Sequence, residues 1–209
     1  MNGYNIPLLQ SATSSFKKII YLKETDSTNN AAKDLISNNM CDNNTIIIAE
    51  HQTHGRGKGS SVFYSPKDVG IYISIVLKNT NLDLKFLSMI TPLAVAQAIK
   101  ETANINAFIK WPNDILINNK KVCGTLIEAA TNCISENLNY VIVGIGVNVN
   151  NDKTEFDDSI KKIATSIKLE TGKDISKNML CCNILKQFEL LLNENHYLLA
   201  SKYKSYLKV

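Results

Sequence analysis

Thr45-Ile46-Ile47-Ile48-Ala49-Glu50 runs, through His51, into Gln52-Thr53-His54-Gly55-Arg56-Gly57-Lys58-Gly59-Ser60-Ser61. The first half is a β-branched run of the kind found in strands buried on both faces. The second half holds three of the chain's nine glycines within five residues, alternating with two cations. Glycine lets a backbone pass close to a ligand, and successive free N–H groups in such a loop make a concave nest for anions. Arg56 adds a planar fork suited to oxyanions, and Lys58 adds a mobile point charge. By itself this pattern also describes an ordinary solvated loop. A buried strand delivering an anion-binding loop sets the question for the rest of the chain.

Outward from this junction, the punctuation separates short strands from helices. Lys18 to Leu22 reads as a strand. Asp26 or Ser27 caps a helix that Ser37-Asn38-Asn39 closes. Gly70 to Leu77 is a strand bounded by Asn79-Thr80-Asn81. Apolar residues at helical spacing span Leu84 to Lys100, with a start or kink expected at Pro92. Ala107–Lys110, Ile115–Ile117 and Val122–Ala129 are strand-like, the last two joined by a hairpin turn at Asn118-Asn119-Lys120. Tyr140 to Val147 is the strongest strand. Helices are expected near Ile160 to Leu169, from about Asn178 to Asn193, and again after His196. Residues 1 to about 15 read as irregular and loosely held. The expected fold class is α+β (mixed α/β), with a central, mostly antiparallel or mixed sheet flanked by helices. Neither a repeat nor an interdomain linker interrupts residues 1–209, which read as a single domain.

At 209 residues, with 44% hydrophobic and 20% charged side chains, the chain has the composition of a soluble globular domain. Its net charge of +4 is spread out, with no basic block of the kind that binds nucleic acid. No signal-peptide core or membrane-length apolar run is present, so the expectation is a cytoplasmic protein without a membrane or nucleic-acid partner. Five cysteines (Cys41, Cys123, Cys133, Cys181 and Cys182) form no C-x-x-C pair and read as reduced packing residues. His51 and His54 lack the further ligands a structural zinc would need, so no resident metal is expected in the apo chain.

Other stretches carry chemistry. In Lys110-Trp111-Pro112-Asn113-Asp114 the proline fixes the backbone, Lys110 ends a strand, and Asn113 with Asp114 could serve ribose or a nucleotide-bound Mg²⁺. Lys121-Val122-Cys123-Gly124-Thr125-Leu126-Ile127-Glu128 is a strand broken by a glycine, which marks either a bulge or a close ligand. Gly144-Ile145-Gly146-Val147-Asn148 lacks the third glycine and following helix of a dinucleotide fingerprint. Asn148 could bond a purine or phosphate, or cap a turn. Ser27-Thr28-Asn29 offers hydroxyl and amide partners to a polar head group, or an ordinary helix cap.

Taken in order, Ser27-Thr28-Asn29, Gln52-Thr53-x-Gly-Arg-Gly-Lys-Gly, Lys-Trp-Pro-Asn-Asp, Lys-x-x-Gly-x-Leu-x-Glu and Gly-x-Gly-x-Asn resemble the biotin protein ligases over roughly residues 18 to 205. The resemblance implies the catalytic domain alone, of the class II aminoacyl-tRNA-synthetase-like, biotin–lipoate ligase type. Many relatives add an N-terminal winged helix and a C-terminal β-barrel, and neither is expected here. It also implies a two-step reaction with ATP and Mg²⁺: biotin becomes biotinyl-5′-AMP, and biotin then passes to a lysine of a biotin carboxyl carrier protein. The ligase itself would be a monomer or homodimer.

By family position, Lys110 and Arg56 carry the chemistry. Ser27, Thr28, Asn29, Gln52, Arg56, Gly57, Lys58, Lys110 and Gly124 contact biotin. Arg56, Lys58, Asn113, Asp114, Lys121 and Asn148 serve the nucleotide, with Asp114 a possible contact to its Mg²⁺. The chain departs from the arginine-rich loop common in bacterial relatives: Lys58 stands for an arginine, Gly59 and Ser61 for further cations, and Phe63 for a tryptophan. Two alternatives are a lipoate–protein ligase or octanoyltransferase-like enzyme, whose arginine–glycine motif with a histidine is missing here, and a non-catalytic biotin-binding module.

Overall fold

The β-branched runs pair into one seven-stranded sheet in the computed structural model, which describes residues 3–80, 82–131 and 138–208. Asn81 and Cys133 lie outside the described residues. In chain order the elements are α1 (Ile6–Ser11), β1 (Lys18–Leu22), α2 (Thr28–Ser37), β2 (Thr45–Ala49), β3 (Gly70–Thr80), α3 (Leu84–Ala103), β4 (Phe108–Lys110), β5 (Asp114–Ile117), β6 (Lys120–Thr131), β7 (Leu138–Asn148), α4 (Ile167–Thr171), α5 (Lys177–Leu192) and α6 (His196–Tyr206). The strand order is β1-β2-β3-β7-β6-β5-β4, with β1 and β2 parallel and every other neighbouring pair antiparallel. The expected mixed, mostly antiparallel sheet is what forms.

The two faces of the sheet are covered unequally, and this creates the site. On one face Ile46, Ile48, Ile71, Ile73, Ile75, Val143, Ile145 and Val147 join residues of α3, α5 and α6 in the main core. On the other face lies a small cluster of Ala32, Cys41, Ile47, Val76 and Ile142 beneath α2. A single ten-residue helix cannot cover seven strands, so the ends of β5, β6 and β7 stay open beside it. Alternation along β3 sorts the residues: Ile71, Ile73 and Ile75 face the main core, while Tyr72, Ser74 and Val76 face the α2 side.

Several local expectations change under tertiary constraint. The described N-terminal residues, from Gly3 on, are ordered. Asn5 caps α1, Leu9 is fully buried, and Glu189 on α5 accepts hydrogen bonds from the Ser14 and Ser15 backbone N–H groups at 3.0 and 2.6 Å. Helix α3 starts at Leu84 under an Asp83 cap and runs through Pro92 instead of starting there. The helix expected from Ile160 begins only after Ser166, whose hydroxyl accepts from Leu169 N. Residues 163–165 are drawn into backbone pairing with Lys121, where Lys121 N donates to Ile163 O at 2.7 Å and Thr165 N to Lys121 O at 2.8 Å. The β5–β6 hairpin turns as expected, with Asn118 and Asn119 at φ 47° and 68°, as a two-residue primed turn requires. No helix among the described residues is long and apolar enough to cross a membrane.

Candidate active site

The register of the sheet aligns the motif residues before any side chain is considered. Lys110 pairs with Asp114, Asp114 with Gly124, Gly124 with Gly146, and Gly146 with Tyr72, one row across five strands. Directly opposed residues share a face, here the open one. Two adjacent glycines in this row leave a trough in the sheet. Phe63, at the end of the glycine loop, lies in it: a Cβ at Gly146 would stand 2.6 Å from Phe63 Cε1. The ring also makes an edge contact with Tyr72, with centroids 6.5 Å apart.

A recess of about 190 Å³ opens here, walled by α2, the glycine loop and the strands β5 to β7. It brings together Ser27, Thr28, Asn29, Gln52, Arg56, Gly57, Lys58, Asn113, Asp114, Lys121 and Gly124, from segments far apart in sequence. Two expected residues stand outside it. Lys110 is exposed at the end of β4, in the row but not in the wall. Asn148 is buried and its Nδ2 donates to Thr165 O at 3.0 Å, so this amide nitrogen braces β7 against the segment before α4.

The inner wall is a continuous hydrogen-bond chain. Gln52 Oε1 accepts from Thr28 N at 2.8 Å and from Thr28 Oγ1 at 3.1 Å, while Gln52 Nε2 donates to Ser65 Oγ at 2.8 Å. Ser74 Oγ lies 2.8 Å from Thr28 Oγ1 and 2.6 Å from Asn29 Oδ1, with one proton to give. Asn29 Nδ2 donates to Glu128 Oε2 at 2.8 Å. Ser27 is the N-cap of α2, yet its hydroxyl makes no capping bond to the first turn, and its own N–H donates to Asp26 Oδ1 at 2.6 Å. Ser27 lines the recess.

The outer wall carries charge. Residues 56 to 62 form a tight hairpin in which Gly57 N donates to Ser61 O at 2.8 Å. Arg56 Nη1 donates to both Asn30 Oδ1 and Glu128 Oε2 at 3.0 Å. Lys33 Nζ holds the second oxygen of Glu128 at 2.7 Å. Partial burial would raise the Glu128 carboxyl, but hydrogen bonds from Lys33 and Asn29 and the two neighbouring cations outweigh it and hold the group below its ordinary value. Lys121 pairs with Asp114 at 2.6 Å. Asn113 donates from Nδ2 to Thr125 O at 2.9 Å, which fixes the Lys110–Asp114 corner to β6. Trp111 is three-quarters exposed, not packed. Burial pushes the Cys123 thiol far up, so it is a packing residue.

Asn30, Lys33, Ser65, Ser74 and Glu128 belong to this constellation and were not singled out as site residues from the sequence. Two had a signal. Glu128 shares the face of Gly124 and Leu126 by simple alternation, and Ser74 is the one small polar side chain in the otherwise apolar and aromatic run Ile71–Leu77.

The family described as the biotin/lipoate A/B protein ligase family matches residues 21–148. The chain belongs to that family. It is 38% identical over 174 residues to the bifunctional ligase/repressor BirA of Bacillus subtilis, covering 82% of this chain and 52% of that protein. To the biotin–[acetyl-CoA-carboxylase] ligase of Mycobacterium tuberculosis it is 26% identical, covering 87% and 66%. Among solved structures, the biotin protein ligase of Aquifex aeolicus in complex with biotin and ATP superimposes with a TM-score of 0.73 at 34% identity, covering 85% of this chain and 71% of that one. The chain thus spans about half the length of the Bacillus relative. The matched family segment contains every residue of the recess named above.

Proposed function

We propose that this chain is an ATP-dependent biotin–protein ligase. One observation carries the reading: a neutral chain of buried amides and hydroxyls adjoins a cluster of cations around a single recess. Biotin has the matching polarity, with an uncharged ureido ring at one end and a carboxylate at the other. The ureido ring would bond with Ser27, Thr28, Asn29 and Gln52, and Leu126 with the Gly124 backbone would floor the valeryl chain. Arg56, Gly57 and Lys58 would close on the carboxylate and the phosphates. Asn113, Asp114 and Lys121 would line the nucleotide side.

Two anions must meet in the first step, so positive electrostatic stabilisation matters more than any activated nucleophile. The biotin carboxylate oxygen attacks the α-phosphorus of ATP, and pyrophosphate leaves with the bonding pair. Lys110 stands two strands from Gly124, roughly 10 Å across the sheet. Its long stem would bring the ammonium to the carboxylate and α-phosphate, where negative charge gathers. In the second step the deprotonated amine of a carrier lysine attacks the anhydride carbonyl. An amide forms, and AMP leaves with the electron pair.

Mg²⁺ would come with the nucleotide. Among the described residues no three carboxylate, histidine or cysteine groups converge on a metal, and Asp114 is already neutralised by Lys121. These donors do not make a preformed magnesium site.

Biotin-dependent exchange of labelled pyrophosphate into ATP tests the first step. Exchange with biotin and none with lipoate is expected. Exchange with lipoate alone would move the chain to the lipoate branch of the family, and none with either would leave a binding module.

A further inference from the structure

We propose that Glu128 is a positioning residue that holds Arg56 at the recess with part of its guanidinium free for the nucleotide phosphates. The inference rests on the reading of the recess as an ATP site and names a residue that reading leaves without a role. Arg56 lines the recess, whereas Glu128 stands behind it, outside the wall. Both hydrogen bonds of Arg56 come from the same nitrogen, Nη1. Among the described residues Nη2 and Nε have no partner, so the fork is gripped at one prong and open at the rest.

The grip is rigid because Glu128 is itself held from two sides. Lys33 on α2 takes Oε1, and Asn29 on α2 shares Oε2 with Arg56. The carboxylate thereby ties strand β6 and helix α2 to the glycine loop. An arginine on a glycine-rich hairpin would otherwise lose rotamer and backbone freedom when a ligand bound, at a cost in affinity. Glu128 imposes part of that ordering in advance. Its charge also leaves Lys33, Arg56 and Glu128 with a net +1, enough to attract phosphate without expelling Arg56 by repulsion from Lys33.

Isothermal titration of ATP, without biotin, tests this on the wild type, Glu128→Gln, Glu128→Asp, Arg56→Ala and the Arg56→Ala/Glu128→Gln pair, with thermal unfolding run alongside. Glu128→Gln should weaken ATP by about tenfold, the loss of one charge-assisted hydrogen bond. Glu128→Asp keeps the charge with a shorter reach and should fall between. The pair should bind ATP within about twofold of Arg56→Ala alone, because Glu128 acts through Arg56. An equal further loss in the pair would reveal a merely structural residue and overturn the proposal. So would unchanged or tighter ATP binding by Glu128→Gln, which would make Glu128 a counter-ion that ATP must displace. A wild type that binds no ATP overturns it as well. One that binds ATP but does not activate biotin refutes the ligase reading while leaving the role of Glu128 standing.

Discussion

Gly146 and Phe63 are fitted to each other: the ring of Phe63 occupies the space where any side chain at 146 would begin, with a Cβ position only 2.6 Å from Cε1. The glycine loop is thus anchored in the sheet at its far end while its charged tip hangs over the recess. Gly146→Ala should lower stability by about 1–3 kcal/mol through overpacking and displace Phe63 with the loop behind it. Biotin affinity should fall with it. Trimming the ring, as in Gly146→Ala/Phe63→Leu, should recover part of the stability, read by thermal unfolding. A fully tolerated Gly146→Ala would mean that the ring does not sit in this trough.

The Lys110 side chain makes no hydrogen bond or ion pair among the described residues and is exposed, so little of the fold depends on it beyond the backbone pairing with Asp114. Lys110→Ala should change stability by no more than about 0.5 kcal/mol. Loss of a cation at the reacting centre should nonetheless cut pyrophosphate exchange by about 10²-fold or more. Near-normal exchange in the folded variant would remove Lys110 from the chemistry and leave the charge to Arg56 and Lys121.

Ser74 is fully buried and donates to either Thr28 or Asn29. Ser74→Ala leaves the Asn29 carbonyl oxygen without that donor, at a cost of about 1–3 kcal/mol. Biotin affinity should weaken as well, since the residues that would face the ureido ring lose their support. Paired unfolding and biotin titrations separate the two effects. Biotin binding unchanged in a destabilised protein would confine Ser74 to the fold.

Acid should loosen the N-terminal segment. Some burial would raise the Glu189 carboxyl, but hydrogen bonds from Ser15 and Ser14 prevail and bring it down to about 2. A carboxyl whose folded value lies below its unfolded value of 4.5 stabilises the fold above that pH and loses this contribution as pH falls toward 2. Glu189→Gln should therefore be less stable than the wild type at neutral pH, with the gap closing between pH 4.5 and 2. The group is only partly buried and so still screened by solvent, and the gap itself is modest. A gap independent of pH would assign the loss to packing.

How much was legible in the sequence follows from where the information lies. Strands such as Lys18–Leu22 and Gly70–Leu77, and the turn at Asn118-Asn119, are local, set by β-branching and by asparagine's tolerance of positive φ. The short helix over Ile6–Ser11 and the late start of α4 were not legible, because partners distant in sequence decide them: Glu189 for the one, the Lys121 backbone for the other. The site divides in the same way. Glycines, the arginine–lysine loop and the Trp-Pro corner announce themselves by composition. Glu128, Lys33 and Asn30 do not, since their roles exist only once β6 and α2 stand side by side. Asn148 looks available as a polar residue after a glycine-rich strand, and its bond to the Thr165 carbonyl exists only once the fold brings the two together.

Incubation of the folded protein with labelled biotin, Mg-ATP and an apo biotin carboxyl carrier domain brings the whole reading to one readout. Label is expected on a single carrier lysine, dependent on ATP and lost in Lys110→Ala. No transfer to the carrier, from an enzyme that is folded and supplied with all three, would contradict it.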